Sequence, residues 1–254
     1  MSSCRCPERA FTLVEVAVAL LVVGLLVGAL ALPLATQLQA RRYDAARRQL
    51  EAASDALLGF AAANGRLPCP ATEASRGEEA FAAAGDAGNG ECARFYDGFL
   101  PAAELGHAGV DAAGLVRDPW EAEGNRVRYA VAGTSVNGIA RPFTRRGGLR
   151  AATLQGLSDA SHFLFVCATG EGATASGCAT AAQQLTRKAA FVVLSTGPNA
   201  GADPHGDEAR NLSGSPVFVA HDPTAPGPGE FDDVVHWGGL PMLVHRLLAA
   251  GQLP

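Results

Sequence analysis

The stretch Glu8-Arg9-Ala10-Phe11-Thr12-Leu13-Val14-Glu15 leads into an uncharged run from Val16 to Ala40, and Val16 to Ala31 within it is wholly apolar or Gly. A bilayer-spanning helix needs about 20 predominantly apolar residues. Val16 to Ala35 supplies that length with only Gly24, Gly28 and Pro33 interrupting the Leu/Val/Ala pattern, so it reads as a membrane segment and not as a core helix. A secretory signal peptide has an apolar region of roughly 7–15 residues and then a small-residue cleavage site. Here the run is longer, and Thr36-Gln37-Leu38-Gln39-Ala40-Arg41 continues as helix-compatible sequence without such a site. An ionised carboxylate beside hydrocarbon costs several kcal/mol unless it finds a partner. Glu15, at the lip of the run, therefore asks for a cation.

Working outward, Leu38, Ala45, Leu50, Ala53, Leu57, Leu58 and Phe60 recur among Arg, Gln, Glu and Asp with the spacing of an amphipathic helix. Asn64-Gly65 supplies its stop. Joined to the apolar run, Thr12 to Ala63 predicts one helix of about 80 Å at a rise of about 1.5 Å per residue. Its first half belongs in lipid or a filament core, and its second half carries a globular domain. Pro33 lacks an N–H and is expected to kink or loosen the helix. Gly24-Leu25-Leu26-Val27-Gly28 offers a small-xxx-small face for close helix contact.

Past Gly65 the pattern changes to short apolar runs bounded by Gly, Pro and Asn. Arg126 to Val131, His162 to Cys167, Ala190 to Ser195 and Phe231 to Trp237 read as strands of an antiparallel sheet, and Leu240 to Ala250 as a short terminal helix. A long helix packed on such a sheet is an α+β fold. About 200 residues can bury a core as one domain. Residues 51–254 hold 14 Lys and Arg against 22 Asp and Glu, and Lys188 is the only lysine. Nucleic-acid binding rests on basic patches that neutralise phosphates, so that class of partner is excluded.

The hexapeptide Ala10-Phe11-Thr12-Leu13-Val14-Glu15, with a short basic leader before it and an apolar helix after it, resembles the N-terminus of the type IV pilin and type II secretion pseudopilin family. The resemblance implies cleavage between Ala10 and Phe11 by a prepilin peptidase and N-methylation of Phe11. It also implies assembly with other pilin or pseudopilin subunits, in which Glu15 meets the new amino terminus of a neighbour. The family usually has Gly where this chain has Ala10. The organisation that follows is a leader at 1–10, a transmembrane and assembly helix at 11–35, its amphipathic continuation at 36–64, and a periplasmic globular domain at 65–254. Arg66-Leu67-Pro68-Cys69-Pro70, Asp118-Pro119-Trp120 with Gly124-Asn125-Arg126, and Phe231-Asp232-Asp233-Val234-Val235 add scattered likeness to a pseudopilin-type domain. In related pseudopilins Asp-Pro-Trp-Gly-Asn is continuous, whereas Glu121-Ala122-Glu123 interrupts it here. Charge bias argues the other way: Arg5 and Arg9 precede the apolar run while Arg41, Arg42, Arg47 and Arg48 follow it, so positive-inside counting alone points the C-terminal part to the cytoplasm. The motif and the cysteines outweigh that count and set the domain outside the inner membrane.

Cys4 and Cys6 leave with the leader, and the mature chain keeps Cys69, Cys92, Cys167 and Cys178. An even set in an exported domain reads as disulfides. Of the three connectivities, the sequence-local one joins Cys69 to Cys92 and Cys167 to Cys178. A metal site is disfavoured, since no Cys-x-x-Cys or clustered His accompanies them. Two oxygen-rich loops, Asp86, Asn89 and Glu91, and Asn199, Asp203, Asp207 and Glu208, are candidates for calcium, although neither has EF-hand spacing. No other cofactor is expected. No nucleophile elbow, phosphate loop or His-Glu-x-x-His occurs, and Ser195 with Asp203 and His205 is a weak triad, so the chain is not expected to be an enzyme. The expectation is a structural subunit, a minor pilin or pseudopilin. A membrane-anchored periplasmic binding protein and a pilus-tip adhesin are the alternatives.

Overall fold

The computed structural model describes residues 12–120, 125–199, 206–224, 227 and 229–253, with 27–35 described by backbone alone. The chain forms two compact units, one within residues 1–44 and the other within 45–254, and the helix α1 (Leu13–Asn64) contributes to both.

In the first unit α1 runs unbroken through Pro33. Side chains from Leu13 to Leu26 are exposed on every face of the helix, with Leu13 at 86% and Leu21 at 63%. Gly24 meets nothing within 4 Å, so the close helix contact expected there has no partner among the described residues. Gly28 and Pro33 lie among the residues described by backbone alone. Among the described residues no helix is long and apolar enough to cross a membrane. The span read from Val16 to Ala35 draws its second half from 27–35, outside the described side chains.

In the second unit the remainder of α1 buries Ala46, Leu50, Ala53, Ser54, Leu57, Leu58 and Ala61, a stripe at spacings of three and four residues. Leu38, included in the amphipathic pattern, is 52% exposed. The helix ends one residue beyond the expected Ala63. Gly65 takes φ +67° and donates its N–H to the Ala61 carbonyl at 2.8 Å, the left-handed stop that Asn64-Gly65 announced. The Gln252 amide reaches back to the Ala62 and Ala63 carbonyls at 3.1 and 3.3 Å, so the C-terminal tail satisfies acceptors that a helix end leaves open.

The sheet has six strands: β1 (Gly98–Phe99), β2 (Arg128–Val131), β3 (Leu164–Cys167), β4 (Gln184–Ser195), β5 (Val217–Val219) and β6 (Val234–Gly239), in the order β1-β2-β4-β3-β5 with β6 also on β4. The twelve-residue β4 is its spine. Its first half pairs with β3, and its second half is flanked by β2 and β6. The side chains follow that division: Gln184 to Lys188 alternate between exposed and half-buried, while Ala189 to Ser195 are all buried. A strand covered on both faces reads as a continuous apolar run, as Ala190-Phe191-Val192-Val193-Leu194 does. The terminal helix α5 (Leu240–Ala249) packs against β4 and β6.

The expectation of a purely antiparallel sheet is corrected by β5, which lies parallel to β3. A parallel pair needs a crossover of a dozen or more residues, and the long connection through β4 and the short helix α4 (Gly206–Asn211) provides it. Two further short helices, α2 (Gly148–Ala152) and α3 (Leu154–Asp159), precede β3 in the chain. The expected strand Phe231 to Trp237 is shifted: β6 starts at Val234, because the Asp232 N–H is taken by a Glu208 carboxylate oxygen at 2.8 Å and not by a neighbouring strand.

Both disulfides form, Cys69–Cys92 and Cys167–Cys178, with Cα separations of 5.3 and 5.7 Å. Directly after α1, Arg66 is buried and makes a two-pronged ion pair with Glu79 at 2.6 and 2.8 Å, under the rings of Phe60 and Phe81. Glu79 also accepts the Cys69 N–H at 3.0 Å, and the buried Tyr129 hydroxyl donates to the Pro68 carbonyl at 3.0 Å. The phrase Arg66 to Pro70 is thus the joint between helix, first disulfide and sheet.

Candidate functional site

The processing residues Ala10 and Phe11 lie outside the described residues, and the site becomes visible at Thr12. There the helix opens with a reciprocal cap. The Thr12 Oγ1 accepts the Glu15 N–H at 3.3 Å, and the Glu15 Oε2 accepts the Thr12 N–H at 3.3 Å and its hydroxyl at 3.4 Å. This capping box satisfies donors that the first turn would leave open, and an acidic group there also complements the helix dipole. Thr-x-x-Glu ahead of an apolar run is its sequence signature, and the reading of Glu15 as a charge seeking a cation passed over it. Both roles use the same carboxylate. One Glu15 oxygen is engaged by Thr12, and the side chain stands exposed at the head of an apolar helix surface with no cation paired to it among the described residues.

Other candidate chemistry disperses. Ser195 donates its hydroxyl to Asp118 at 2.9 Å in the core, while Asp203 and His205, the other members of the tentative triad, lie outside the described residues. Asp118 takes the Trp120 N–H at 3.1 Å, its own N–H goes to the Asn125 carbonyl at 3.2 Å, and the Asn125 amide donates to the Gly197 carbonyl at 2.7 Å. The two halves of the Asp-Pro-Trp and Asn-Arg phrase therefore meet despite the three residues between them, and together they fasten the end of β4.

The first oxygen-rich loop satisfies itself. Asp86 Oδ1 accepts the Gly88 and Asn89 N–H groups at 2.7 and 2.9 Å, Asn89 accepts those of Asp86 and Glu91, and Glu91 pairs with Arg141 at 3.3 Å. In the second loop Asp203 lies outside the described residues, Asp207 turns to the Gly170 N–H at 2.7 Å and to His221 at 3.2 Å, and Asn199 and Glu208 remain together. The neighbours that sequence reading did not assign to them are Asp232 and Asp233.

Residues 5–31 match the family described as the prokaryotic N-terminal methylation motif, the prepilin-type signature of type IV pilins and pseudopilins. At its N-terminus the chain is therefore pilin-like or pseudopilin-like and carries the signature on which prepilin peptidase acts. The match covers the leader and the front of α1 and none of the globular unit. No curated protein and no solved structure gives a significant match.

Proposed function

We propose that this chain is a structural subunit, a minor pilin or pseudopilin of a type IV pilus or type II secretion filament, held in the inner membrane by residues 11–35 until it is trimmed and assembled. The prepilin peptidase cuts between Ala10 and Phe11 and methylates the new Phe11 amine. The globular unit then lies in the periplasm, where both disulfides persist. In a filament the apolar surface of α1 is buried against neighbouring α1 helices, and the Phe11 ammonium of one subunit neutralises Glu15 of another, fixing axial register. The observation that carries this reading is the helix from Leu13 to Leu26. Beyond Glu15 it is apolar on all faces, it has no partner among the described residues, and its first turn carries a carboxylate inside the matched motif. A polypeptide has no use for such a surface in water; it needs lipid or copies of itself. Measuring the mass of the N-terminal peptide, extracted from membranes of cells with an active prepilin peptidase, tests it. A methylated Phe11 terminus is expected. A chain still carrying residues 1–10 would leave only an anchor, and with it a tethered binding protein.

A further inference from the structure

Arg128 opens β2 directly across from Phe99 of β1. Its half-buried side chain lies over the Phe99 ring, with the guanidinium carbon 4.5 Å from the ring centroid. Among the described residues its Nη1 donates to the Asp97 carbonyl alone, at 3.4 Å, and its buried Nε has no hydrogen-bond partner. The ring and the carbonyl fix the plane of the guanidinium without neutralising it. The acids around it are already engaged. Asp97 takes Arg94 at 2.5 Å, Glu73 takes Arg126 at 3.1 Å, and Asp111 takes the same Arg126 at 2.8 Å. No carboxylate among the described residues forms an ion pair with Arg128. This cation stands single in a unit where Asp and Glu outnumber Lys and Arg by 22 to 14.

Burial lowers the Arg128 guanidinium from its ordinary value, and the charges of Asp97 and Glu73 only partly oppose that loss of water. An arginine desolvated in this way and held flat on a ring is prepared for a partner that arrives from outside. Arg128 lines a cleft of about 400 Å³, together with Ala71, Ala74, Gly98 and Phe99 and the engaged acids Glu73 and Asp97. The cleft is a built feature of the fold. A Cβ on Gly98 would collide with Pro70, so glycine there lets the segment after the first helix press against β1 and form one wall.

The guanidinium fork matches the two oxygens of a carboxylate or a phosphate. The walls choose between them. Glu73 and Asp97 repel a dianion, whereas one carboxylate meets the one uncompensated charge. The remaining lining is small and apolar, and its other charged groups are occupied with each other, so the ligand contributes one carboxylate and otherwise an aliphatic stem. That is the chemistry of an acidic side chain, and the cleft has room for the backbone that carries it. We propose that Arg128, flat on Phe99, receives an aspartate or glutamate side chain of another polypeptide, making this cleft a docking site for an acidic protein segment.

The test uses the full-length chain in detergent with its arginines labelled by nitrogen-15. The buried Arg128 Nε–H is the reporter, identified by its disappearance in Arg128→Lys. Titration with the capped tripeptide Ala-Glu-Ala is expected to shift that signal saturably, and the capped Ala-Gln-Ala peptide and inorganic phosphate should act at least tenfold more weakly. The acidic peptide should also raise the thermal midpoint of the parent and of Arg146→Gln, which changes an exposed arginine elsewhere, but not that of Arg128→Lys, which keeps the charge and loses the fork. A signal that ignores the acidic peptide would overturn the site. An equal response to the glutamine peptide would show that the carboxylate is not what is read, and a stronger response to phosphate would make this a free-oxyanion site; either result overturns the proposal. The three probes on the parent decide the matter even if Arg128→Lys does not fold.

Discussion

Glu15 bears two demands at once, and they can be separated chemically. In the single chain it closes the capping box with Thr12; in a filament it is proposed to neutralise a Phe11 ammonium. Gln serves a capping box nearly as well as Glu but carries no charge. Glu15→Gln should therefore insert into the membrane like the parent and fall at least tenfold in cross-linked, filament-associated protein, alongside Glu15→Ala. Were Gln to restore incorporation while Ala did not, the helix cap and not the charge would be the assembly determinant. Arg66 makes the complementary case in the interior. Its ion pair with Glu79 is 8% and 10% exposed at the side chains, so removing one partner strands the other. Arg66→Ala should cost about 3–5 kcal/mol in urea unfolding, and the double variant with Glu79→Ala should cost less than the sum of the two singles.

The helix α1 changes solvent along its length, and its substitutions should sort accordingly. Leu57 is fully buried, so Leu57→Ala is expected to cost about 2–5 kcal/mol. Leu38 is half exposed, and Leu38→Ala should stay within about 0.5 kcal/mol by the same urea measurement on the detergent-solubilised chain. This element was the most legible in the sequence, because helix periodicity, the Asn64-Gly65 stop and the apolar run are all local signals. Four strands and the terminal helix were legible for the same reason. β1 and β5 were not: at two and three residues they are too short to show alternation, and they exist only because β2 and β3 offer them edges. The acidic cluster was half legible. Asn199 and Glu208 stood out as a polar loop, but Asp232 and Asp233 looked like strand residues, and only the tertiary fold brings the two segments together. The cysteine pairs were legible because each bridge spans few residues, at separations of 23 and 11.

At the scale of the whole molecule the globular unit is held by two covalent loops and weakened by a buried repulsion among Glu208, Asp232 and Asp233. By loop-closure entropy each disulfide contributes about 3 kcal/mol, so Cys69→Ala with Cys92→Ala should lower stability by about that amount, and the Cys167 and Cys178 pair by slightly less. The repulsion sets how stability changes with pH. Burial, with the Glu208 charge adding to it, pushes Asp232 up to about 7 and Asp233 up to about 8 in the folded chain, against about 4 when unfolded. Between those values the folded chain retains protons that the unfolded chain has released. The stability these groups contribute should therefore be fully present below about pH 4 and should fall as pH rises towards 8, each group contributing a slope of at most about 1.4 kcal/mol per pH unit. Depressed carboxylates elsewhere, such as Asp111, act oppositely only at the acid end of that window, and His236, lowered by burial, acts oppositely within it, but one group against two leaves the fall dominant between pH 5 and 8. Thermal midpoints across that range measure it, and Asp232→Asn with Asp233→Asn should flatten the curve. A parent curve that rises from pH 5 to 8 would show that the three carboxylates are not charged against one another in the folded chain.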